Sequence, residues 1–172
     1  MPDAPTPTPR VPASIRQTFP GVLSQAGAAL AAQEWPAAER LCRQILRLDP
    51  DHAPAIHLLG LASLRGGCAA DAVPLLRRAL ELDPAQPQWW HQLGHCYLDA
   101  KRPAEAAECF RKSLRLQPYS AAVLFDLGQT LSTLGLYPDA AAALAQACRI
   151  EPGHTHARAL LKTITRRLRL AA

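Results

Sequence analysis

Residues 89–100 read "WWHQLGHCYLDA" and set two histidines beside a cysteine. His91 and His95 are four residues apart, and on a helix residues four apart share a face, so their imidazoles could close on one metal ion. Asp99 would extend that row by another turn. Two points weigh against a metal. H-x-x-x-H lacks the glutamate of the H-E-x-x-H helix, and Asp99 lies two turns from His91, too far for both to reach one ion easily. The favoured reading is that the histidines line a polar binding surface, with no metal and no cofactor. A metal-dependent activity at His91/His95 is the least favoured function. Other catalytic arrangements fail as well. Gly66 and Gly67 fit a turn between helices rather than a phosphate-cradling loop, and nothing sets a nucleophile beside an oriented base. Cys42, Cys68, Cys96, Cys109 and Cys148 are odd in number and contain no C-x-x-C, which argues against a disulfide framework and a structural zinc site. They read mostly as small buried hydrophobes. The protein is not expected to be an enzyme.

The elements that carry these residues follow from composition and period. The 172 residues are 49% hydrophobic and 19% charged, a globular balance for one domain. No apolar run reaches the length of a membrane span, and "MPDAPTPTPRVPASIRQTFP" has no apolar signal region, so the expected location is cytoplasmic. Residues 1–18 read as a disordered proline-rich leader. Charge is uneven. Five of the 19 basic residues, Arg158, Lys162, Arg166, Arg167 and Arg169, fall in 155–172 with no acid, leaving 14 basic against 14 acidic residues in 1–154.

The chain repeats every 34 residues. "RLDP", "ELDP", "RLQP" and "RIEP" end at Pro50, Pro84, Pro118 and Pro152. Gly60, Gly94 and Gly128 keep the same interval, with Ala26 one step earlier, and Ala38, Ala72, Ala106 and Ala140 form a third series. Each unit fits two short helices. Pro87 suits a first helical turn, as do Pro36 and Pro138, while Pro118 ends the helix before it. In unit three the first helix should reach about Ala100 and the second should start near Pro103. Pro74 should delay or kink the second helix of unit two. At about 100° per residue, Leu93, Gly94 and Tyr97 cluster around Trp90 as one apolar stripe, with His91 and His95 off to one side. A lone hairpin cannot cover that stripe, so hairpins must stack.

With these residues in place the chain resembles the tetratricopeptide repeat family. Trp90, Leu93, Gly94, Tyr97, Ala106, Phe110 and Pro118 match its W-x-x-L-G-x-x-Y…A…F…P pattern. Unit two matches at Ile56, Leu59, Gly60, Ala72, Leu76, Ala79 and Pro84. Unit four matches at Leu124, Leu127, Gly128, Leu131, Ala140, Leu144, Ala147 and Pro152. Unit one is weaker, with Gln25 in the place of a leucine and Ile45 in the place of a small residue. The resemblance implies an all-α solenoid of units 19–52, 53–86, 87–120 and 121–154, closed by a basic amphipathic capping helix, 155–172. The apolar face of that cap is Ala157, Leu160, Leu161, Ile164 and Leu168.

In such solenoids the first helices line a concave groove. The resemblance places Leu23, Leu30, Leu61 and Leu64 toward its N-terminal half. His57, His91, Gln92, His95 and Asp99 follow, and Phe125, Asp126 and Gln129 complete the wall. Leucines in a concavity imply an occupant. The expected function is therefore a non-catalytic adaptor that holds a peptide or protein segment. The alternative is a recognition arm or accessory subunit similar to the repeat regions of bacterial glycosyltransferases and sulfotransferases. The family's carboxylate clamp is missing, because its places carry His57, Leu61, Gln92, Ala122 and Asp126. Nucleic acid is not an expected partner, since the basic last helix lacks interleaved aromatics. A second copy of the chain could instead cover the leucines.

Overall fold

The structure, a computed structural model, describes residue 12 and residues 17–171. Most of the expected leader, 1–18, lies outside the described residues. The described residues form nine α-helices and no strand: α1 (Phe19–Ala31), α2 (Trp35–Leu48), α3 (Ala53–Arg65), α4 (Ala69–Leu82), α5 (Pro87–Asp99), α6 (Pro103–Leu116), α7 (Ala121–Thr133), α8 (Tyr137–Ile150) and α9 (Thr155–Ala171). Each helix packs on the next in sequence, the arrangement of an all-α helical repeat solenoid. No helix of the described residues is long and apolar enough to cross a membrane.

Proline sets most of the helix starts. Pro20, Pro36, Pro54, Pro87, Pro103 and Pro138 occupy the first or second helical position of α1, α2, α3, α5, α6 and α8. Pro74 does not delay the helix. It lies inside α4, which starts at Ala69. The carbonyl of Cys68 still receives the N–H groups of Asp71 and Ala72, so the first turn closes upstream of the proline. Leu76, Ala79 and Leu80, all buried, then hold the helix in place.

Two further series share the 34-residue interval. Gln33, Gly67, Lys101 and Gly135 take left-handed backbone, with φ of 63°, 89°, 59° and 77°, and turn the chain from the first helix of each unit into the second. His52, Ser120 and His154 accept the backbone N–H of Ala55, Val123 and Ala157 and so cap α3, α7 and α9. His154 therefore has a structural task at the entry to α9.

Within each unit a small residue on the first helix faces a residue sixteen further on. Ala26 and Cys42 share one buried cluster, and Gly60 meets Leu76, Gly94 meets Phe110 and Gly128 meets Leu144. Phe110 is fully buried in the largest core cluster, alongside Leu93, Tyr97 and Leu127. A Cβ on Gly94 would stand 2.8 Å from Phe110 Cδ1, 2.9 Å from Cζ and nearer still to Cε1. Alanine is otherwise the better helix former by about 1 kcal/mol, but a rigid ring cannot bend away, and overpacking of this kind costs about 1–3 kcal/mol. Gly94→Ala is therefore expected to lower the melting temperature. It should do so more than Gly60→Ala, whose neighbour is the flexible Leu76 at 2.9 Å. Thermal denaturation of the two variants checks the order.

Trp90 is not the centre of the buried stripe. It is half-buried, whereas Leu93, Gly94, Cys96 and Tyr97 are buried. Its indole N–H donates to the carbonyl of Pro84 at 2.9 Å, and Lys112 Nζ lies 4.2 Å above the ring. Arg78 and Arg158 donate in the same way to the carbonyls of Pro50 and Pro152. A proline that ends one unit is thus tied down by a side chain further along. Trp90 serves that junction, and Phe110 fills the core.

At the C-terminal end, Ala157 and Ile164 of α9 are buried, and Leu160, Leu161 and Leu168 pack against the main core. Arg167 lies over the Tyr137 ring at 4.4 Å, on the polar side of the helix.

Candidate functional site

The first helices bring five of the twelve expected groove residues to one cavity. Leu30 of α1, Leu61 and Leu64 of α3, and Gln92 and His95 of α5 line a cavity of about 440 Å³. Trp35 and Arg65 complete its lining, together with Ala31 and Gln33. Neither Trp35 nor Arg65 carries a signal in the repeat pattern. Trp35 lies two residues past the left-handed Gln33, and it is that turn, invisible in residue type, which swings it to the cavity. The leucines come from units one and two and the imidazole from unit three, while Gln33, Arg65 and Gln92 supply polar groups from all three units.

Beyond the cavity, α5 and α7 meet through three side chains. Asp126 Oδ2 lies 2.7 Å from His91 Nε2 and 3.0 Å from His95 Nε2, and the two Nε2 atoms are 3.1 Å apart. Both rings are seated on Phe110, with centroids 5.6 and 5.5 Å away at steep angles. The aromatic side chain that fills the core thus also orients the imidazoles on the wall. Burial alone would raise the Asp126 carboxyl, but the hydrogen bonds from His91 and His95 outweigh it and hold it down at about 2. The same carboxylate raises His95 above its ordinary value through its hydrogen bond, against the opposing effect of burial.

The other expected residues are placed less uniformly. His57 is not on the open wall: it is 6% exposed, its Nε2 lies 2.6 Å from Gln92 Oε1, and its ring stacks on Trp89 at 4.4 Å. Burial pushes it down to about 4, only partly offset by the Gln92 hydrogen bond. Leu23 packs beside Phe19 and Ile45, outside the cavity lining. Phe125 is half-buried near the His154 ring, at 4.8 Å. Asp99 and Gln129 are exposed. Cys96, next to His95, is buried, and burial raises its thiol to about 11, so it is no thiolate nucleophile at neutral pH.

A stack of helical hairpins with a lined inner wall defines a class, the helical repeat scaffolds that bind other proteins. Tetratricopeptide repeat profiles match residues 23–87 and 86–151, and the chain belongs to the tetratricopeptide repeat family. No curated protein matches in sequence. Among solved structures, the chain is similar to MamA, at 19% identity and a TM-score of 0.75, covering 81% of each chain. It is similar to YrrB, described as a TPR protein with an unusual peptide-binding site, at 18% identity and a TM-score of 0.76, covering 90% of this chain and 82% of that one. It also resembles an O-GlcNAc transferase mutant of Thermobaculum terrenum, at 27% identity and a TM-score of 0.71; the match covers 83% of this chain but 27% of the transferase.

Proposed function

We propose that the protein is a non-catalytic adaptor that holds an extended or helical protein segment against the wall formed by its first helices. The observation that carries this reading is the cavity of about 440 Å³, where Leu30, Leu61, Leu64 and Trp35 offer apolar anchoring while Gln92, His95 and Arg65 offer hydrogen bonds. Tetratricopeptide repeat proteins are generally adaptors, and YrrB, of similar fold, is described by its peptide-binding site.

The test uses immobilised chain and native cell extract. Leu61→Asp and Leu64→Asp are expected to lose at least about tenfold of the specifically retained protein, since a desolvated charge in an apolar pocket costs several kcal/mol. Leu116→Asp, at an exposed position on α6, should retain it all. Equal retention by all three variants contradicts the reading.

A second reading is a recognition arm or accessory subunit of a glycosyltransferase-type enzyme, favoured by the 27% identity to part of the Thermobaculum terrenum transferase. A transferase as the dominant retained partner supports the arm, and any other dominant partner supports the free adaptor.

A further inference from the structure

We propose that His91, His95 and Asp126 form a binding site for one divalent first-row transition ion of the zinc type, bridging repeats three and four. The donor atoms make a nearly equilateral triangle with edges of 2.7, 3.0 and 3.1 Å. Around a tetrahedral ion with bonds of about 2.0–2.1 Å, ligand atoms stand about 3.3 Å apart. The triangle therefore needs its edges to open by about 0.2–0.6 Å to take the ion above its plane.

Hydrogen bonds fill this triangle only in part. Each Nε2 carries at most one proton and an ionised carboxylate oxygen none, so at most two protons face three short edges. If both imidazoles donate to Oδ2, the 3.1 Å edge between the two Nε2 atoms is left without a bond. If His95 donates to His91 instead, the lone pair of His91 faces a carboxylate oxygen at 2.7 Å. A cation bonds all three corners at once and leaves no edge unserved.

The donor set selects the ion. Two imidazoles and one carboxylate suit zinc, iron, nickel or copper, whereas magnesium and calcium prefer oxygen donors throughout. Phe110 beneath both rings fixes their planes before any ion arrives. His95 also lines the cavity, so the remaining coordination position lies beside the groove, open to water or to a carboxylate or imidazole on a bound segment. The site joins α5 to α7, and its third corner is Asp126 of the next repeat rather than Asp99 of the same helix.

The full chain, stripped with a chelator, is titrated with cobalt(II), followed by its visible ligand-field absorption, and with zinc(II) in a calorimeter. The expected result is saturation at one ion per chain, with zinc displacing cobalt. Asp126→Asn keeps the shape of the side chain and should bind at least about tenfold more weakly. His95→Gln, at a half-exposed side chain whose removal opens no core cavity, should show the same loss even where Asp126→Asn perturbs folding. His156→Gln, on the exposed surface of α9, should bind like the parent. Absence of a saturable cobalt spectrum overturns the proposal. So does parental affinity in His95→Gln, or loss of affinity in His156→Gln. Because the titration needs no protein partner, its outcome is independent of whether the groove holds a segment.

Discussion

Phe110→Ala is expected to lose about 3–5 kcal/mol of stability, the usual cost of truncating a fully buried large aromatic. For a chain of this size that is a fall in melting temperature on the order of 10 °C. The ring is completely buried and sits where α5 and α6 cross over Gly94, so its removal leaves a cavity at that crossing. Trp90→Ala should cost clearly less, because that indole is half-buried and one of its main contacts is a single hydrogen bond to Pro84. Denaturant unfolding of both variants decides the matter. A larger loss for Trp90→Ala would move the centre of unit three away from Phe110. Truncating Phe110 should also loosen the two imidazoles above it, which a rise in hydrogen exchange along residues 91–95 would report.

The second large effect is on pH dependence. His57 titrates near 4 when folded, against an ordinary value of 6.5, because burial under Trp89 disfavours the imidazolium. Above about pH 6.5 the ring is neutral in both folded and unfolded chains and contributes no pH dependence. As the pH falls from 6.5 toward 4 the unfolded chain takes up the proton and the folded one does not, so stability declines. At 1.36 kcal/mol per unit the loss approaches about 3 kcal/mol by pH 4, with no further change from this group below that. His95 works in the opposite sense, since its raised value favours the folded chain when protonated. The comparison is therefore between parent and His57→Gln, which keeps a polar partner for Gln92 but has no proton to gain. Unfolding at pH 7.5 and pH 4.5 should show the parent losing roughly 2–3 kcal/mol more than the variant. Parallel losses would mean that His57 is accessible to water in the folded chain.

What the sequence made legible was the scaffold. Proline, glycine and alanine at a fixed interval mark helix starts, crossings and stops, because each of those roles restricts residue type severely. Harder to read were roles that several residue types can fill. The left-handed turn is occupied by Gln33 and Lys101 as well as by Gly67 and Gly135, and the helix cap by His52 and His154 as well as by Ser120. No common letter exposes either series. A helical wheel gave the direction of His57 but not its cover, since Trp89 belongs to the next hairpin. The same limit applied to the histidine cluster. Along one helix the search for a third donor ends at Asp99, and only the packing of α5 on the following repeat brings Asp126 within 3.0 Å.

Recognition by the inner wall is tested most directly by where a partner touches the molecule. A photo-crosslinking amino acid placed at Leu64, on the cavity wall, and separately at Tyr119, exposed between α6 and α7, provides the most direct measurement in the native cell. The expected result is a discrete adduct from position 64 that disappears when Leu61 is also changed to aspartate, with none from position 119. Adducts from position 119 alone, or from 64 regardless of Leu61, would place recognition somewhere other than the inner wall.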